Sequence, residues 1–97
     1  MEKRSDKLPL VSVIIPCFNS ADYIESTLNS VLHQSYDNFE IIAIDDESSD
    51  DTYQILQAAA VDDPRIKPFS IRHSGRPSVP RNFGISKAAG SMIAFLD

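Results

Sequence analysis

The 97-residue sequence contains one cysteine, no tryptophan and three glycines. One cysteine cannot close an internal disulfide or supply a thiolate metal framework, so Cys17 is expected as a small buried group in a reducing, cytoplasmic setting. With glycine only at positions 75, 84 and 90, there is neither a G-x-G-x-x-G turn nor a glycine-rich phosphate loop. A nucleotide, if bound, must be held by side chains and a metal. No apolar stretch approaches the roughly 18 residues of a membrane span, and the opening MEKRSDKLPL lacks the apolar core of a signal peptide. Charge of one sign is also missing locally. Residues 37–63 carry nine acids and no Lys or Arg, residues 64–96 carry six bases and no acid, and the whole chain has a net charge of -5. A net-acidic chain without a basic run is a poor general binder of nucleic acid or anionic membrane.

What is present alternates. Residues 1–8 are polar and read as a flexible lead-in to one domain over 9–97. Residues 10–16 (LVSVIIP) and 39–44 (FEIIAI) are short, nearly continuous apolar runs, as expected of strands covered on both faces. Ile24, Leu28, Val31 and Leu32 fall on one face of a 3.6-residue period, with Asn19 and Ser20 as candidate caps. Ser48 and Ser49 are expected to cap a second helix with Asp50 and Asp51 in its first turn, where the helix dipole favours acids. Residues 66–71 (IKPFSI) predict a third strand, which Pro68 confines to an edge. The stretch HSGRPSVP reads as a loop, Arg81 to Ala89 as a helix stopped by Gly90, and Met92 to Leu96 as a last strand leading to Asp97. This order predicts an α/β fold: a mostly parallel sheet with helices on both faces, whose ligands bind beyond the carboxyl ends of the strands.

Four polar residues sit at those ends: Asn19, Asp45, Asp46 and Asp97. A carboxylate pair closing an apolar strand costs several kcal/mol in desolvation unless it has a partner, so Asp45 and Asp46 are candidates for a ligand site. Strand alternation sends the two to opposite sides, which argues against a shared metal. Asp97 is a candidate for metal or ribose contact. Arg81 opposes the dipole at its expected helix start, and its fork suits phosphate. His33, His73, Arg76 and Lys87 read as surface groups. No nucleophile elbow or paired His and Cys is present.

In order, the segments VSVIIPCFN (11–19), YIESTLNSVLHQSYDNFEIIAIDDESSDDT (23–52) and RNFGISKAAGSMIAFLD (81–97) resemble the N-terminal half of an inverting family-2 glycosyltransferase of the GT-A fold. The resemblance implies a half-Rossmann-like, nucleotide-sugar-binding sheet, truncated here after its fourth strand, and a UDP-sugar as donor. It places Pro16 and Phe18 beside the nucleobase with Asn19 following. It makes Asp46 the acceptor of the uracil N3–H, with Asp45 beside it, and sets Arg81 near the base or diphosphate. Asp97 becomes the first Asp of an Asp-x-Asp motif that holds ribose and a divalent metal, Mn²⁺ or Mg²⁺. The implied general base, second Asp and acceptor-binding half, for a saccharide or lipid-linked acceptor, are expected beyond Asp97, so these 97 residues are expected to be inactive alone. Two other readings stand beside it. One is a non-catalytic fragment that binds or self-associates, as a homodimer, through an exposed sheet edge after Leu96. The other is a phosphoacceptor receiver domain, which needs an acidic pair where the chain has Pro16-Cys17-Phe18-Asn19.

Overall fold

The computed structural model describes residues 8–73 and 75–96. Seven elements follow the predicted alternation: β1 (Val11–Cys17), α1 (Ile24–Leu32), β2 (Phe39–Asp45), α2 (Thr52–Asp62), β3 (Ile66–Ser70), α3 (Ser78–Lys87) and β4 (Met92–Phe95). The strands form one parallel sheet in the order β3-β2-β1-β4, with Ile14 opposite Ile42 and Cys17 opposite Asp45.

The period of two along each strand divides the core into two layers. On one face Ile15, Cys17, Ile41 and Ala43 pack against Ile24, Leu28 and Val31 of α1 and Leu56 of α2. On the other, Ile14, Ile42 and Ile44 pack with Phe69, Ile71 and Phe83 of α3. β2 is buried along its whole length, as an apolar strand at the sheet centre should be. β3 is an edge, which accommodates Pro68. β4 is the opposite edge, and Met92 and Phe95 remain 54% and 49% exposed.

The helix starts differ from the sequence expectation. Asn19 and Ser20 do not cap α1; the Ser20 carbonyl accepts from the Tyr23 and Ile24 amides in a turn, and the helix begins at Ile24. Ser48 and Ser49 do not cap α2, and Asp50 and Asp51 precede it rather than occupying its first turn. Asp50 instead accepts from the Thr52 amide at 3.0 Å. α3 begins three residues early and takes in Ser78, Val79 and Pro80, which composition assigned to a loop. Proline is tolerated in a first helical turn, where its missing N–H would have had no partner.

Two glycines are used for close approach. A Cβ on Gly84 would meet Ile14 Cγ2 at 2.6 Å and Ile44 Cδ1 at 2.8 Å, so α3 lies against the sheet through this residue. Gly90 is not the helix stop: α3 ends at Lys87 and Ala88 is extended. A Cβ on Gly90 would instead strike the Leu10 carbonyl oxygen at 2.6 Å.

Candidate functional site

The register that builds the core also sorts the site residues. Residues 40, 42 and 44 of β2 face α3, while 39, 41, 43 and 45 face α1 and α2. Asp46 continues the first set and Asp45 the second, so the adjacent carboxylates enter different surroundings.

Asp45, 3% exposed, bends back onto its own loop. Its carboxylate accepts from the Ser48 amide at 3.2 Å and from the Ser48 hydroxyl. Asn19, in the left-handed region at φ 49°, does similar work from the other side. Its side-chain oxygen accepts from the Ser49 amide at 2.9 Å, and its own amide donates to Ser48 Oγ at 2.8 Å. The Ser20 amide donates to Thr52 Oγ1 at 2.7 Å, and the Ala21 amide to Asp50 at 3.1 Å. The Thr52 hydroxyl, then burial in the opposite sense, then the amide donors act on Asp50, and their balance lowers its carboxyl pKa. The segment 45–52 is thus a clasp that joins the loop after β1 to the loop after β2. Asn19 and Asp45 belong to that clasp and do not line the cleft described next.

The cleft lies beyond the carboxyl ends of β1 and β2, on the α3 side. It has a volume of about 370 Å³ and is lined by Pro16, Cys17, Phe18, Asp46, His73, Gly75, Arg76 and Pro77, with Pro80 of α3 behind. This is where an open α/β sheet binds ligands. The Phe18 ring is 49% exposed and stacks on the His73 imidazole, centroids 4.8 Å apart at 28°. His73 Nδ1 lies 3.4 Å from Asp46 Oδ2 and 3.3 Å from the Asp46 carbonyl oxygen. The His73 amide donates to Glu47 Oε1 at 2.9 Å. Burial first, and the Asp45 charge second, push the Cys17 thiol up to about 12, so the thiol in the cleft wall is neutral.

Of the candidate residues, the cleft brings together Pro16, Phe18 and Asp46. Arg81, at the fourth position of α3, is not among the residues lining the cleft, and its guanidinium lies 5.9 Å from the Phe95 ring centroid. Asp97 lies outside the described residues. His73 and Arg76 are exposed, in keeping with their reading as surface groups, and both stand on the cleft wall. Their only sequence signal was position, in a loop between β3 and α3 at the carboxyl end of the sheet. Among the described residues, no three His, Cys, Asp or Glu side chains come together as a metal site, and no helix is long and apolar enough to cross a membrane.

Residues 12–97 match the family model of Glycosyl transferase family 2. The putative teichuronic acid biosynthesis glycosyltransferase TuaG of Bacillus subtilis is 45% identical over 89 residues, 92% of this chain and 35% of that protein. Among solved structures, S. aureus TarS 1-349 in complex with UDP superposes with a TM-score of 0.82 at 36% identity, covering 90% of this chain and 26% of that one. The mannosyltransferase PcManGT of Pyrobaculum calidifontis, in complex with GDP-Man and Mn²⁺, superposes with a TM-score of 0.74 at 26% identity, covering 88% and 26%. The chain therefore spans about a third or less of the length of these relatives. A parallel sheet with its cleft beyond the strand ends, and a family match running from β1 through the last residue, lead to one conclusion: the chain belongs to glycosyltransferase family 2.

Proposed function

We propose that the cleft receives the nucleobase of a UDP-sugar, and that the chain is the donor-binding region of an inverting glycosyltransferase. The observation that carries this reading is the Asp46 carboxylate, 8% exposed, in one cleft with the Phe18 ring. A carboxylate only accepts hydrogen bonds, so it suits the imide N3–H of uracil and rejects cytosine, whose N3 is itself an acceptor. Phe18 offers a stacking face and Pro16 an apolar wall. Arg76 on the cleft wall, and Arg81 as the family resemblance implies, would supply cationic forks for a diphosphate. Asn19 and Asp45 act through the clasp that holds Phe18 and Asp46 in place. The TarS complex with UDP supports the choice of uracil.

The activity of a whole enzyme belongs to the same proposal: displacement at the anomeric carbon by an acceptor hydroxyl, with a base beyond Asp97. A divalent metal, to which Asp97 would contribute, is suggested by the Mn²⁺ of the mannosyltransferase complex. The described residues offer no metal set of their own, so the role proposed for them is to bind and orient the donor. A cytoplasmic setting, which a buried unpaired Cys17 suits, completes the reading.

Calorimetric titration with UDP, CDP and GDP tests it. Asp46→Asn is expected to cost roughly 10- to 100-fold in UDP affinity, the range of a lost charge-assisted hydrogen bond, and to erase the preference over CDP. Equal affinity of the native chain for UDP and CDP would sink the assignment, and GDP as the tightest ligand would move it to a guanine donor. A second reading, self-association, is favoured by β4, an edge strand among the described residues, and its exposed Met92 and Phe95.

A further inference from the structure

His73 lies where the proposed ligand would bind. Its ring already stacks on Phe18 at 4.8 Å, and its Nδ1 already lies 3.4 Å from the Asp46 carboxylate oxygen. A planar base needs those same two partners, the ring face and the carboxylate. Rings stacked at that separation leave no space for a third between them. A base that takes the same face of Phe18 and the same oxygen of Asp46 must therefore displace the imidazole.

The charges around His73 set when it leaves. From the end of β2 it faces the carboxylates of Asp46 and Glu47, the latter holding its backbone amide at 2.9 Å. From its own loop, Arg72 adjoins it in sequence and Arg76 shares the cleft wall. Phe18, from the segment after β1, contributes no charge but presents a ring face that favours a cation. A protonated imidazole is thus held by a carboxylate at contact and by a π face, against two guanidiniums. A neutral imidazole loses the ion pair.

We infer that His73 is a proton-dependent occupant of the base site, which competes with the nucleobase for Phe18 and Asp46 and so makes donor affinity rise with pH. The inference rests on the reading of Asp46 as the base acceptor. It deepens that reading by making His73 a residue that sets affinity. Binding is weakened by the fraction of molecules in which the site is self-occupied. Because the His73 side of the pair is 47% exposed, the expected gain from acid to alkaline pH is about two- to fivefold.

The test uses the 97-residue chain with uridine and cytidine, which lack a phosphate that would itself titrate, followed by NMR between about pH 5.5 and 8, where imidazole changes charge. The native chain is expected to bind uridine more tightly as pH rises, with the His73 ring resonances moving on saturation. His73→Gln, which cannot carry the charge, is expected to bind at acid pH as the native chain does at alkaline pH, with the pH dependence gone. An unchanged amide spectrum away from the cleft confirms that the variant is folded. A uridine preference that is independent of pH, or a slope that persists in His73→Gln, overturns the role of His73 and leaves the base reading standing. No preference for uridine over cytidine at any pH overturns both.

Discussion

Glu40 lies in the centre of the sheet with a carboxylate only 3% exposed, and three groups donate to it. They are the Ser12 hydroxyl at 2.6 Å, the Ala89 amide at 2.7 Å and Lys67 Nζ at 2.9 Å. Burial acts to raise its pKa, but the donors and the Lys67 charge outweigh burial and hold the carboxyl below the usual range. A carboxyl depressed in the folded state stabilises at neutral pH, and that contribution is lost as pH falls from about 4.3, the unfolded value, through the folded one. Glu40→Gln is therefore expected to cost about 1–3 kcal/mol at neutral pH, with denaturant melts of variant and native chain converging in acid. Equal losses at both pH values would assign the effect to packing. Cys17 gives a second outcome at this scale. With its thiol pushed up to about 12 by burial and then by Asp45, it should resist alkylation in the folded chain at mildly alkaline pH and react at once in urea.

The elements are joined by fixed crossings. The link between α3 and β4 passes so close to β1 that Gly90 donates its amide to Ser12 Oγ at 2.8 Å, and a Cβ there would meet the Leu10 carbonyl oxygen at 2.6 Å. Backbone cannot yield as a side-chain tip can, so Gly90→Ala is expected to cost about 1–3 kcal/mol in a thermal or urea melt. A loss below measurement error would mean that the strand shifts freely. At this scale much was legible in the residues themselves. Continuous apolar runs announced β1 and β2, the spacing of Ile24, Leu28 and Val31 announced α1, and Pro68 announced an edge. The caps were not legible. Ser, Asn and Asp are good caps and equally good loop staples, and only the meeting of residues 19–21 with 48–52 assigned them to the clasp.

At the scale of the molecule, β4 is one of the two edges of the sheet. Among the described residues β4 pairs with β1 alone, and beside it Val11, Val13, Val31 and Phe39 line an apolar groove of about 350 Å³ with Ala94, Phe95 and Leu96. An unpaired edge with exposed apolar side chains favours association. Sedimentation of the chain should show a mass that rises with concentration, and Phe95→Lys should reduce that rise. A monomer at every concentration would remove the self-association reading. The carboxylate pair at 45 and 46, the aromatic at 18 and the alternation of strands and helices were written in the sequence, because period and composition are local properties. That Asp46 enters the cleft while Asp45 enters the clasp followed from strand alternation only once the helices had taken their faces. The placing of His73 and Arg76 on the cleft wall was decided by tertiary structure alone. A loop between β3 and α3 has no period to read, and its side chains meet β1 and β2 only because a parallel sheet gathers the carboxyl ends of all its strands on one side.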